Sequence, residues 1–425
     1  MTDHDPSDGD SIDTDGIDRR AFLGGAAGIG ATAGIGGLPG VPGGGGHDDP
    51  PIDVPDGAVP YVAARRHTNH DAVAAGHAPP EREPVWATMP VDRWLRIEAA
   101  NAAEHRVNAM LRERGASDLV RAGTRLNGNG ELIVDVHVTE LETPRGDVLT
   151  PDVDVDALRR AVPSTARGRA ALPREHRGGL GSLGTATRER EHEVAWTRVR
   201  QRQQADYFNQ IHRPVRGGAA MTESGPPGTT CTPAWHRGLG EYVLVTAGHV
   251  IGGVSPGETC YQPDNTWWWN EIGVSEDAAY AGSDVDHDGD LETTFDAATI
   301  RMTDAGVDYD LAGYGGGDYD DVTAIIAKVE WSQIYDDFLS DRSYTLQGSN
   351  TGRSTGEITW ASNEYKIFET DAVSEGGDSG GPHFKEVDGY AYIAGVHNYG
   401  PSEQGEHGSG ATSLHKVEQE FPITV

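Results

Sequence analysis

Lysine is almost missing from this chain: Lys328, Lys366, Lys385 and Lys416 are its only four in 425 residues. With arginine there are 34 basic residues against 67 acidic ones, a formal net charge of −33. A nucleic-acid partner requires a basic face to neutralise phosphates, and this balance argues against one. Long apolar runs are missing too. The segment 21–38 comes nearest, but it is heavy in Gly and Ala and falls short of the ~20 strongly apolar residues a membrane-spanning helix requires. No stable membrane anchor is expected. Cysteine occurs twice, at Cys231 and Cys260. Long helical periods are absent after about residue 210, which excludes an all-helical second half.

What the chain does have is acid, glycine and length, with room for two or three domains. Its carboxylates are spread through the chain rather than gathered in one tail. It resembles proteins of extreme halophiles, in which surface carboxylates hold water and cations; the plainer alternative is an acidic soluble protein. Residues 1–17 are polar. Asp18-Arg19-Arg20-Ala21-Phe22-Leu23-Gly24 then resembles a twin-arginine export signal, with Asp where Ser or Thr is commoner. That resemblance implies the twin-arginine export machinery as a partner, folding before transport, and a secreted product. No cysteine stands close behind the signal, which argues against a lipoprotein anchor.

We divide the chain into four stretches. Residues 1–46 are the signal and a Gly-rich linker, and the Pro- and Gly-rich texture of linker continues to residue 84. Residues 47–162 hold a small α+β unit without a catalytic constellation. Val91, Leu95, Ala99, Ala103, Val107 and Met110 space an amphipathic helix ending at Gly115; 132–138 alternates as a strand; 154–162 is a second short helix. Its place between an export signal and the chemistry below makes it a pro-region that assists folding or blocks the site, or else an accessory unit. Residues 163–205 are an Arg- and Gly-rich linker, basic within an acidic protein. Residues 206–425 read as all-β, with strands at 242–245, 297–302, 323–329, 357–360, 365–370 and 390–396 and one helix at 414–421.

The chemistry of this last stretch centres on Gly376-Gly377-Asp378-Ser379-Gly380-Gly381-Pro382. A serine hydroxyl needs an adjacent base to act as a nucleophile, and the charge it creates needs donors. Bare glycine backbone can supply them, here the N–H groups of Gly377 and Ser379 as an oxyanion hole. Asp378 can fix the turn through a buried charge contact. The base lies upstream in Thr246-Ala247-Gly248-His249, after the apolar run 242–245. With both motifs complete and in this order, the chain resembles the chymotrypsin-like (trypsin-like) serine peptidases. The resemblance covers roughly the last half of the chain. It implies two packed six-stranded β-barrels, a cleft between them, protein or peptide substrates, and no organic cofactor.

The same resemblance implies a catalytic triad of Ser379, His249 and an acid between them. Phe295-Asp296-Ala297-Ala298-Thr299-Ile300-Arg301 matches the family segment in which the acid opens a strand, which selects Asp296; Asp308 and Asp310 compete from a polar loop. The G-x-S-x-G spacing around Ser379 also fits the nucleophile elbow of α/β-hydrolases. Those place acid and histidine after the serine, and only 46 residues follow it here. The pocket is expected between Val373-Ser374 and the wall His397, Tyr399 and Gly400. No aspartate marks the base of that pocket as selective for Arg or Lys. The wall resembles the glutamyl endopeptidase branch, in which His397 would meet an acidic side chain; the alternative is a wall residue of a mixed apolar pocket. Related peptidases often carry a disulfide near the catalytic histidine, so Cys231 and Cys260 are expected either to pair, at about 3 kcal/mol of chain entropy, or to remain buried thiols. Asp284, Asp286, Asp288 and Asp290 have the spacing of a calcium loop, without the glutamate that would complete it; a structural calcium and a solvated acidic loop both fit. A catalytically inactive homologue that binds peptides is the alternative to an enzyme, although a binding module has no need of a full triad.

Overall fold

A computed structural model describes residues 52–116, 119–142, 148–151, 153–172, 187–202, 212–222, 228–251, 256–263, 270–279, 295–303, 305–312, 323–401 and 408–425. The Arg19-Arg20 motif and the acidic loop of Asp284, Asp286, Asp288 and Asp290 lie outside these residues. Among the described residues no helix is long and apolar enough to cross a membrane.

The N-terminal segment runs β1 (Ala58–His67), α1 (His70–Ala74), β2 (Arg82–Pro90), α2 (Val91–Arg112), β3 (Val120–Leu126), β4 (Leu132–Glu142), β5 (Val148–Leu149), α3 (Val155–Ala161), β6 (Thr165–Ala171) and β7 (Thr187–Arg202). α2 is the amphipathic helix read from the sequence. It buries more than one stripe because two neighbours share it. Leu95 and Ile97 join a core with Trp331, on a later helix, and Phe368 of the barrel described below. Val107 and Leu111 join Val136, Leu158 and Val194 of the segment itself.

Two stretches read as linker are structured. The one ending at residue 84 contains β1 and α1 and begins β2. The Arg/Gly-rich stretch 163–205 contains β6 and β7. β6 turns Ala166, Gly168 and Ala170 inward and Arg167 and Arg169 outward. Its inward residues are so small that the period of two carries little hydrophobic signal. A Cβ on Gly168 would fall 1.6 Å from the Ala99 carbonyl oxygen, so only glycine lets β6 lie this close to α2. The outward arginines face acids across the strand pair, Arg167 opposite Glu191 and Arg169 opposite Glu189.

After residue 212, short β-branched and aromatic runs between glycine turns give strands. They are β8 (Val215–Gly217), β9 (Ala220–Met221), β10 (Gly228–Thr229), β11 (Pro233–His236), β12 (Glu241–Thr246), β13 (Thr259–Tyr261), β14 (Glu271–Ala279), β15 (Ala297–Met302) and β16 (Val307–Leu311). The second half adds β17 (Thr323–Val329), α4 (Trp331–Phe338), β18 (Ser343–Gly348), β19 (Gly352–Ser362), β20 (Ile367–Thr370), β21 (Pro382–Val387), β22 (Tyr390–Pro401), β23 (Ser409–Ser413), α5 (Leu414–Glu420) and β24 (Ile423–Thr424).

One antiparallel sheet of six strands runs β13-β14-β15-β12-β11-β24 around Val243, Val245, Ile272 and Ile300. A second set closes on itself: β22 pairs with β21, β21 with β18, β18 with β19, β19 with β20, β20 with β23, and β23 with β22 again. The all-β architecture, with two six-stranded sets of which the second closes into a barrel, agrees with the fold class expected. The N-terminal segment adds strands to the second barrel's sheet, β1 beside β17, β3 beside β19, and β7 beside β22. Helix α4 was not expected, yet Trp331, Ile334, Tyr335 and Phe338 follow helical spacing and all four are buried.

Cys231 and Cys260 are buried and not joined to each other, so the expected disulfide is absent. Cys231 hydrogen-bonds through its amide to Val245 of β12, and Cys260 pairs with Gly273 of β14. Strands β14, β15 and β12 separate the two positions in the sheet. The Cys231 Sγ turns instead toward the Gly395 carbonyl at 3.7 Å, and burial pushes its thiol pKa far up.

Candidate active site

β12 delivers His249 through a short 3-10 turn, Gly248–Ile251. Asp296 stands just ahead of β15, the antiparallel neighbour of β12, so one strand pair fixes both residues. Phe295 anchors that entry by packing edge-on against Phe421, with ring centroids 5.2 Å apart. The Asp296 Oδ2 lies 2.7 Å from His249 Nδ1, and its Oδ1 accepts from the His249 amide at 3.1 Å. Both side chains are buried. A carboxylate gripped at both oxygens by one residue sets the ring's orientation and leaves Nε2 as the free nitrogen. Asn398 of β22 was not singled out in the sequence. Its Nδ2 donates to the Asp296 carbonyl at 2.5 Å and its Oδ1 accepts from the Thr412 amide at 2.6 Å, tying the acid to the second barrel. Of the competing acids, Asp308 pairs with Arg216 at 2.9 Å. Asp310 is raised above the ordinary aspartate range by burial and by the Asp308 charge.

The Ser379 turn joins the two barrels. Thr229 donates its amide to the Ser379 carbonyl at 2.7 Å, and Thr246 Oγ1, three residues before His249, donates to the Thr229 carbonyl at 2.8 Å. Gly380 has φ +93, and a Cβ there would meet the Thr229 carbonyl at 2.0 Å and Thr246 Oγ1 at 2.3 Å, so the turn can lie this close to the histidine strand only as glycine. Within the turn, Asp378 N donates to Glu375 O, Gly380 N to His397 O, and Gly381 N to Asp378 O. The amides of Gly377 and Ser379 have no acceptor among the described residues. Those are the two groups expected to face an oxyanion. The Gly377 carbonyl is held away from the site by Thr229 Oγ1 at 2.7 Å and Ser349 Oγ at 2.8 Å.

The expected pocket walls stand face to face, since a Cβ on Gly400 would fall 2.3 Å from Ser374 Oγ. Val373 is held from behind, its amide donating to Ser354 Oγ at 2.7 Å, and Ser374 Oγ donates to the Gly408 carbonyl at 2.8 Å. Tyr399 turns its hydroxyl away to Glu369 at 2.8 Å. His397 is buried, its Nδ1 3.3 Å from Nε2 of His383. Ser409 Oγ lies 3.0 Å from the same His383 nitrogen, and Thr370 Oγ1 lies 3.2 Å from Ser409 Oγ. His383 was not anticipated. Its signal was present as a second histidine four residues after Ser379, at the start of a strand antiparallel to the His397 strand. Burial pushes His383 down to about 3; burial, then His383 and His249, push His397 below its ordinary value. Among the described residues no group of three or more His, Cys, Asp or Glu side chains is placed to hold a metal ion.

No protein-family model matches the chain, and no curated protein matches it. Among solved structures the chain is similar to Thermobifida fusca Protease A. The identity is 18%, the alignment covers 49% of this chain and 97% of that one, and the TM-score is 0.35.

Proposed function

We propose that this chain is an exported serine endopeptidase, made as a precursor. The observation that carries the reading is the double grip of Asp296 on His249, beside a serine turn whose Gly377 and Ser379 amides have no acceptor among the described residues. Ser379 Oγ attacks a peptide carbonyl while His249 Nε2 takes its proton. The tetrahedral oxyanion is received by the Gly377 and Ser379 amides. The leaving amine takes the proton from His249, and water repeats the sequence on the acyl-enzyme. Asp296 stabilises the imidazolium formed in between. No step needs a metal or an organic cofactor. The N-terminal segment serves the second barrel as a folding partner, a role supported by the core that Leu95 and Ile97 share with Trp331 and Phe368. A fluorophosphonate should add its mass once to the wild type and not to Ser379→Ala; an unlabelled wild type with a folded circular dichroism spectrum would leave the binding homologue as the reading.

The pocket supports a preference for an acidic residue before the scissile bond. Burial beside the expected pocket disfavours the charged forms of His397 and His383. An entering carboxylate supplies the missing counter-charge, so binding is accompanied by proton uptake and the preference strengthens as pH falls. A charged hydrogen bond of this kind contributes about 2–3 kcal/mol. His397→Ala should therefore lower kcat/KM after Glu by roughly 50-fold while leaving cleavage after Phe within about 3-fold. Equal losses on both substrates would rule out the acidic preference.

A further inference from the structure

The wall that borders the pocket already carries a strand on its edge. β7 runs antiparallel to β22, with Arg202 opposite Gly400 and Gln201 opposite Pro401. Pro401 has no N–H, so the hydrogen bonds of this rung run between the backbones of Gly400 and Arg202. Gly400 lies against Ser374, on the opposite wall. An extended peptide entering between those walls would bind by adding itself as a strand to the same backbone groups. We propose that the end of β7 is a built-in competitor: it pairs with β22 at Gly400 and keeps extended peptides out of the Ser379 cleft until it moves. This rests on the peptidase reading above and assigns that site its regulation.

A buried chain of contacts ties β7 to the same wall. Thr197 of β7 donates to both Asp135 carboxylate oxygens at 3.0 Å. Asp135 Oδ2 lies 3.5 Å from His137 Nε2 and 2.7 Å from Arg125 Nε. On its other side His137 Nδ1 lies 3.4 Å from Glu369 Oε1, the oxygen that accepts from the Tyr399 hydroxyl at 2.8 Å. Arg121 Nη2 reaches that hydroxyl at 3.4 Å, and the His137 ring stacks on Trp360 with centroids 4.5 Å apart. The path Thr197, Asp135, His137, Glu369, Tyr399 therefore crosses from the N-terminal segment to the pocket wall. The bulk of that segment shares its core with the second barrel, and β7 is itself paired in parallel with β4 from Val194 to Arg202, so the proposed movement is confined to the last rungs of β7.

The latch is sensitive to pH. Burial works against an imidazolium at His137, but Glu369 and Asp135 outweigh it and raise the ring from 6.5 to about 9. Asp135 and Glu369 are held below their ordinary values despite burial, chiefly by His137, with help from Arg125 and Tyr399. The contribution of a raised histidine is fully present below its unfolded value of 6.5 and is lost as pH rises through about 9. That of the depressed carboxylates is lost only in acid, below their ordinary range. The latch is therefore held through neutral pH and loosens in alkali.

The test uses two probes on the uncut 425-residue chain, read by intact mass. A small phosphonyl fluoride reaches Ser379 alone, whereas a tetrapeptidyl diphenyl phosphonate must also lie along β22. Arg202→Pro removes one N–H from the rung. The small probe should label wild type and Arg202→Pro at the same rate, which also shows that the variant is folded. The peptidyl probe should label Arg202→Pro about tenfold faster at pH 7, and that ratio should fall toward one above about pH 9.5 as wild type opens. Equal peptidyl labelling at pH 7 overturns the competitor, and a ratio that stays tenfold in alkali overturns the latch. Failure of the small probe on both proteins overturns the peptidase reading itself.

Discussion

Replacing Asp296 with Asn should lower kcat for peptide hydrolysis by about 10⁴-fold, with KM and thermal stability nearly unchanged. The acid accepts twice from His249, at the ring Nδ1 and at the backbone amide. Asparagine keeps only one accepting oxygen. If that oxygen stays on the amide, the carboxamide N–H faces the ring nitrogen, and the imidazole must present its other tautomer. Its Nε2 then carries the proton and cannot take one from Ser379. The charge that stabilises the imidazolium is lost in the same change. The backbone bond from Asn398 to the Asp296 carbonyl is untouched, so the strand entry stays in place. Asp308→Asn is the control: its partner is Arg216, and its effect on kcat should be less than about 3-fold. Steady-state kinetics on one peptide settle both, and a loss below tenfold for Asp296→Asn would shift the acid's role elsewhere.

Local signals were legible where one residue type can do one job. Strand limits at Ala297–Met302 and Thr323–Val329 follow from apolar runs that end at polar or turn residues. The helix Val91–Arg112 follows from its spacing. Signals failed where the informative residue was small or its partner distant. Ala166, Gly168 and Ala170 carry too little apolar surface to announce β6, although α2 makes that smallness necessary. Helix α4 had four apolar residues in helical register but sat in a stretch whose texture was β. Asn398 and His383 matter through partners about a hundred and fourteen residues away respectively, and nothing in their own neighbourhoods marks them. The two cysteines flank His249 in sequence, but sheet order decides their separation in space.

Asp378→Ala should destabilise the protein by roughly 3–5 kcal/mol, the cost of leaving several buried donors unsatisfied. It should also lower the rate of Ser379 labelling by the small probe at least about 100-fold. A buried charge contact was expected for this residue, and the structure supplies donors instead. Its Oδ1 accepts from the amides of Asn350 at 2.8 Å and Thr351 at 3.0 Å. Its Oδ2 accepts from Thr351 Oγ1 at 2.6 Å and from the Glu375 amide at 2.9 Å. Burial pushes its pKa above the ordinary aspartate value, and these four donors hold that rise back. Truncation strands three amides and a hydroxyl away from water, each at about 1–3 kcal/mol before relaxation. The melting temperature should fall by about 10 °C, and a change under about 2 °C would mean that water replaces the carboxylate. Asparagine should fall between, because its amide group would face the Thr351 hydroxyl and the Glu375 amide with a donor where an acceptor is needed. The turn that presents the Gly377 and Ser379 amides is thus held by residues already in place in the uncut chain. On the proposed reading, what Arg202→Pro reports is therefore access to the Ser379 turn rather than its assembly.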